Sequence, residues 1–176
     1  MHEVVANRLV PQCKRICGAV IDRVTYDVLR GEAAADEIED PNFYLGGEVV
    51  LAFRNSEPLY VSWGRIACEH REVIYSLALG ADSLFNAGSL QSFCASATRI
   101  WSSHIGRTVT EVALYGTDGV PFVLSIQTES GTILIGSSCR DDFGDGDDVF
   151  ISTDSKSMVS LSQIWRSQST ASPKSD

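Results

Sequence analysis

A near-repetition within the chain constrains its fold more than any other feature. Cys17-Gly18-Ala19-Val20-Ile21-Asp22-Arg23-Val24-Thr25-Tyr26 reads like Ile105-Gly106-Arg107-Thr108-Val109-Thr110-Glu111-Val112-Ala113-Leu114, at an offset of 88 residues. Val50–Phe53, five loop residues and Leu59–Ser62 then match Val123–Ile126, five loop residues and Thr132–Ile135, at an offset of 73. The offsets differ by 88 − 73 = 15 residues, an insertion between the first two strands of the first unit, in the acidic stretch Gly31–Gly47. Repetition of this kind points to one small unit used twice. The expected fold class is α+β: two tandem helix-plus-antiparallel-strand pseudo-repeats, about 7–84 and 89–153. Together they would form a largely antiparallel sheet of about eight strands with two main helices. Residues 1–153 would be a single domain, and the Ser-rich stretch 154–176 a disordered tail.

Local signals fill in the units. Leu9, Cys13 and Ile16 keep helical spacing, with Pro11 tolerable in a first turn and Gly18 as a stop. Ala19–Val28, Val49–Phe53, Leu59–Trp63 and Glu72–Leu77 read as strands, the middle two joined by Arg54-Asn55-Ser56-Glu57-Pro58. Alternation puts Val49 and Leu51 opposite Leu59 and Val61. In the second unit, Ser89 or Ser92 would cap a helix whose Leu90, Phe93, Cys94, Ala97 and Trp101 form one stripe ending at Gly106. Thr108–Tyr115, Phe122–Ile126, Thr132–Gly136 and Asp148–Ser152 supply its strands, and Asp118-Gly119 marks a hairpin turn.

Charge bears on partners. The net charge is −9, with 14 basic residues against 23 acidic ones. A nucleic-acid binder wants Lys/Arg stripes, and none occurs. No apolar run approaches the ~18 residues of a spanning helix, and Met1-His2-Glu3-Val4-Val5 lacks the basic start of a secretory signal. Five scattered cysteines suit a reducing cytoplasm better than a disulfide framework. Expected partners are thus neither nucleic acid nor membrane, and the chain would be a monomer or homodimer.

Ten of the 23 acidic residues sit in two connections: Glu32, Asp36, Glu37, Glu39 and Asp40 in the first unit, and Asp141, Asp142, Asp145, Asp147 and Asp148, beside Phe143, in the second. In an unbroken antiparallel meander these two types of connection leave from the same end of a sheet. A calcium loop needs six to eight oxygens in a D-x-[DN]-x-[DN]-G pattern with a twelfth-position Glu. Asp145-Gly146-Asp147 is a fragment of that pattern, and no Glu follows Glu129. The plainer reading is a solvated loop, and a third is a carboxylate patch that meets Lys and Arg of another protein. Zinc-type spacing is lacking, as Cys68/His70 and Cys94/His104 form no C-x-x-C or H-x-x-x-H pair. Gly136-Ser137-Ser138-Cys139 is not a nucleophile elbow. His104, beside a helix end, has a structural role open to it. No catalytic residue, metal ligand or cofactor is assigned.

Trp101, Ile105-Gly106, Val109 and Val112, then Gly119, Pro121, Leu124, Ile126, Gly131 and Ile135-Gly136, then Gly146–Ile151 form a pattern that resembles small cytosolic α+β immunity proteins of bacterial polymorphic and contact-dependent toxins. The resemblance spans about residues 45–153 and rests on core-forming positions. It implies a role without catalysis, binding and neutralising a cognate, basic toxin domain. The residues themselves suggest Glu32–Asp40 and Asp141–Asp148 as the contact face. Two other classes stay open: a metal-dependent hydrolase using Asp141–Asp148 with His70 or His104, and a small-ligand-binding domain or edge-paired homodimer.

Overall fold

The computed structural model describes residues 3–30, 42–67, 73–137, 148–154 and 161–168. One helix, α1 (Glu3–Ile16), opens it, followed by β1 (Ile21–Leu29), β2 (Asn42–Leu45), β3 (Gly47–Phe53), β4 (Leu59–Ala67) and β5 (Val73–Gly80). A short 3-10 turn (Ala87–Ser89) leads into β6 (Leu90–Cys94). The remaining strands are β7 (Val109–Thr117), β8 (Val120–Thr128), β9 (Gly131–Ser137), β10 (Val149–Ser152) and β11 (Ser162–Gln168).

The strands make two antiparallel sheets, ordered β5-β4-β3-β1-β6 and β11-β7-β8-β9-β10-β2. Alternation drives their stacking: Val24, Tyr26 and Val28 on β1, Val49 and Leu51 on β3, and Leu59 and Val61 on β4 are buried at every second position. Leu124, Ile126, Ile133, Ile135, Val149 and Ile151 do the same from the second sheet, and all belong to one continuous core. β4 and β5 lie against β8 and β9, while Leu9, Cys13 and Ile16 press α1 onto β7, β8, β11 and β5. Trp101, fully buried, donates its Nε1–H to the Tyr26 hydroxyl at 2.6 Å, so the largest core side chain keeps its polar atom satisfied.

The α+β class stands in its coarse form, but the arrangement differs from expectation. Among the described residues there is one helix instead of two, with eleven strands in two sheets instead of about eight in one. The stretch expected as a second helix is β6 followed by tight turns through Gly106. Its Ser and Thr residues are weak helix formers, and Leu90–Cys94 instead fills the open edge of β1. Pro11 falls inside α1, not in its first turn; it is exposed, so the carbonyl four residues earlier can turn to solvent. β2 occupies part of the stretch read as one long acidic loop, and β11 lies in the expected disordered tail, paired with β7.

The expected pair of helix-plus-strand repeats does not match the architecture. Among the described residues α1 has no counterpart before β7, β6 pairs into the sheet of the first unit and β2 into that of the second. The 88-residue offset thus keeps only a local counterpart. Val20 and Thr108 form an isolated antiparallel bridge. Gly18 N–H to Val109 O (2.8 Å) is mirrored by Gly106 N–H to Ile21 O (2.7 Å), and Ile21 N–H to Arg107 O (3.0 Å) by Val109 N–H to Ala19 O (2.8 Å). Gly18 and Gly106 both take positive φ, 88° and 78°, which lets the chain turn into β1 and β7. These bonds join the two sheets where each begins.

Candidate functional site

Ten of the eleven expected contact residues, Glu32, Asp36, Glu37, Glu39, Asp40, Asp141, Asp142, Phe143, Asp145 and Asp147, lie outside the described residues. Asp148 is described and is half-buried directly before β10. What the fold does fix is where the two acidic stretches attach. The second runs from Ser137 to Val149, and those residues face each other across β9 and β10. Val149 in turn faces Leu45 on β2. The first stretch leaves β1 after Leu29, whose N–H donates to Gly46 O at 2.8 Å, next to Leu45. Its far end, Asn42, is three residues along β2, about 10 Å at the usual strand rise. The attachment points therefore gather at one corner of the sandwich, where β1 of one sheet meets β2 of the other.

The described residues beside that corner carry both signs: Arg30, whose Nε–H donates to Leu90 O at 3.4 Å, stands next to Leu29, and two carboxylates lie on the neighbouring strands. Asp27 on β1 faces Glu48 on β3, a cross-strand pair of like charges that costs stability. Glu48 is fully buried. Its carboxyl accepts the Ser83 hydroxyl at 2.5 Å and the Leu84 N–H at 2.9 Å, both from the loop after β5. Burial is the main cause that pushes the Glu48 pKa up; the two hydrogen bonds pull it down, and Asp27 adds to the rise. Asp27 Oδ1 is buried and has no hydrogen-bond partner. Tyr60, near Glu48 on β4, has its pKa raised by burial and then by Glu48, Asp27 and Asp82. Three carboxylates thus act together on Tyr60, after burial as the first cause. Sequence reasoning passed over Asp27, Glu48 and Asp82; the available signal was a carboxylate inside each of two apolar strands, Val-Thr-Tyr-Asp-Val-Leu and Gly-Glu-Val-Val.

The other candidates have structural surroundings. His104 is 3% exposed, with Nδ1 at 2.7 Å from the Thr128 hydroxyl, and burial lowers its pKa. A histidine so enclosed meets no substrate. It ends a turn instead of a helix. Cys13 is buried, its thiol pushed up to about 12, mainly by desolvation. Cys17 is raised first by burial and points its thiol toward Ser167 O at 3.7 Å. His2, Cys68 and His70 lie outside the described residues. Among the described residues no group of three His, Cys, Asp or Glu side chains could hold a metal ion, and no helix is long and apolar enough to cross a membrane.

The sequence matches no protein-family model, and no curated protein or solved structure matches it either.

Proposed function

We propose that this chain is a non-catalytic binding protein of the immunity type, which docks a basic toxin domain with the acidic corner of its sandwich. The observation that carries the reading is the register Ser137–Val149–Leu45 with Leu29 on Gly46, which gathers the attachment points of two acidic stretches. Asp27 and the exposed Asp82, beside the buried Glu48, add the same sign of charge on the neighbouring sheet. Charges concentrated in this way steer encounter with an oppositely charged partner and confer specificity.

The experiment is a binding titration between the purified chain and a basic toxin domain sought among the products of neighbouring genes, repeated at rising salt. A tight, stoichiometric complex that weakens with salt is the expected result. Replacing Asp141, Asp142, Asp145, Asp147 and Asp148 by Asn should weaken it most of all single-stretch changes. Calorimetry with calcium, magnesium, manganese and zinc belongs beside it. Micromolar, stoichiometric uptake lost in the same variant would replace this reading with a metal-dependent one.

A further inference from the structure

The outward face of the second sheet contains a depression with a clear structural origin. Ala113 on β7 faces both Arg166 on β11 and Ser125 on β8, and Ser125 faces Leu134 on β9. Two small side chains thus sit side by side at the centre of the sheet. Longer residues stand around them: the row Glu111–Gln127–Thr132 on one side and Tyr115 on the other. The resulting groove has a volume of about 360 Å³, and Thr153 closes it beyond β10. That volume is at the small end of ligand sites, which run from about 300 to 1,000 Å³.

Its chemistry is specific. Ser125 is only 8% exposed, yet among the described residues its hydroxyl finds no protein partner. The oxygen is not among the buried unpartnered atoms, so it opens into the groove and can donate to and accept from whatever fills it. The charges cancel internally. Arg166 Nε lies 3.1 Å from Glu111 Oε1, and Gln168 Nε2 donates to Glu111 Oε2 at 2.7 Å. The Gln127 amide is also held in place, accepting from the Thr132 hydroxyl and donating to Thr128 O at 2.9 Å. What remains is a fixed set of hydroxyl donors and acceptors, one aromatic ring and the aliphatic floor of Leu134, with no net charge to satisfy. Hydroxyls both donate and accept, and Tyr115, packed beside Leu134 in a small apolar cluster, gives the groove an apolar side next to them.

We infer that this groove is a binding site for a neutral, polyhydroxylated ligand of sugar size. It lies toward the opposite end of β9 from Ser137, and its lining residues are other than those proposed to meet the toxin. The test is saturation-transfer NMR on the full chain with glucose, galactose, mannose and N-acetylglucosamine as separate probes. Transfer to at least one probe is expected. Ser125→Leu, which fills the depression, should abolish it, and Ser125→Ala, which removes the hydroxyl, should raise Kd roughly five- to tenfold, the loss of about one neutral hydrogen bond. Glu57→Gln, on a distant surface, should leave transfer unchanged, and thermal melts confirm that each variant is folded. No transfer to any of the four probes would overturn the assignment. So would transfer that persists in both groove variants, or binding of a zwitterion such as glutamine with no binding of sugars.

Discussion

Glu48 is a carboxyl whose surroundings work against its charge. Its pKa stands above the ordinary glutamate value, so the stability it contributes is complete below that ordinary value and is lost as pH rises through the raised one. Urea unfolding of the wild type and Glu48→Gln across a pH series isolates this effect. The wild type should lose stability relative to the variant as pH climbs from acid toward neutral. A constant difference would contradict the assignment. Glu48→Ala should instead cost about 1–3 kcal/mol, because the Ser83 hydroxyl and Leu84 N–H lose their acceptor. Gly136 is constrained by contact. A Cβ there would lie 2.3 Å from Phe150 Cε1 and 3.0 Å from Phe122 O. Gly136→Ala should therefore destabilise by about 1–3 kcal/mol, as overpacking does. Adding Phe150→Leu should recover part of that loss, so that the double variant unfolds at higher urea than Gly136→Ala alone.

At the scale of elements, β11 is the sharpest test. Its Ile164 and Trp165 pack against the main core, and it covers the edge of β7. A chain ending at Asp154 should melt on the order of 5 °C lower or more, since one kcal/mol is about 2–4 °C at this size. An unchanged melting temperature would make β11 dispensable. The strand was not legible because Ser162-Gln163-Ile164-Trp165-Arg166-Ser167-Gln168 has only a short apolar core and draws its stability from pairing with β7. β6 shows the same limit. Leu90, Phe93, Cys94 and Trp101 satisfy a helical stripe, but the open edge of β1 overrides it, as tertiary context does with weak local preference. By contrast, the β3–β4 hairpin was legible because Val49, Leu51, Leu59 and Val61 carry strict alternation on both sides of a short loop. The β7–β8 turn was legible as well. Asp118 and Gly119 both have positive φ, 52° and 77°, the type I′ geometry that an Asp-Gly pair favours. Gly119→Val should weaken that hairpin and lower the urea midpoint.

For the whole molecule, the decisive property is where charge is concentrated. Composition alone gives a net charge of −9 and two acidic stretches; the common corner of their attachment points comes from strand register, which one sequence does not disclose. Ser137, Val149 and Leu45 belong to three strands far apart in the chain, and only pairing makes them neighbours. The central claim is that a basic toxin domain docks at this corner. Its most direct measurement is the affinity for a basic toxin domain found among the products of neighbouring genes, followed against ionic strength for the wild type and for the variant with Asn at 141, 142, 145, 147 and 148. Wild-type affinity should fall on the order of tenfold or more from low to high salt, and the variant should bind weakly with a much shallower slope. A variant that binds as tightly as the wild type, with the same salt dependence, would contradict the account.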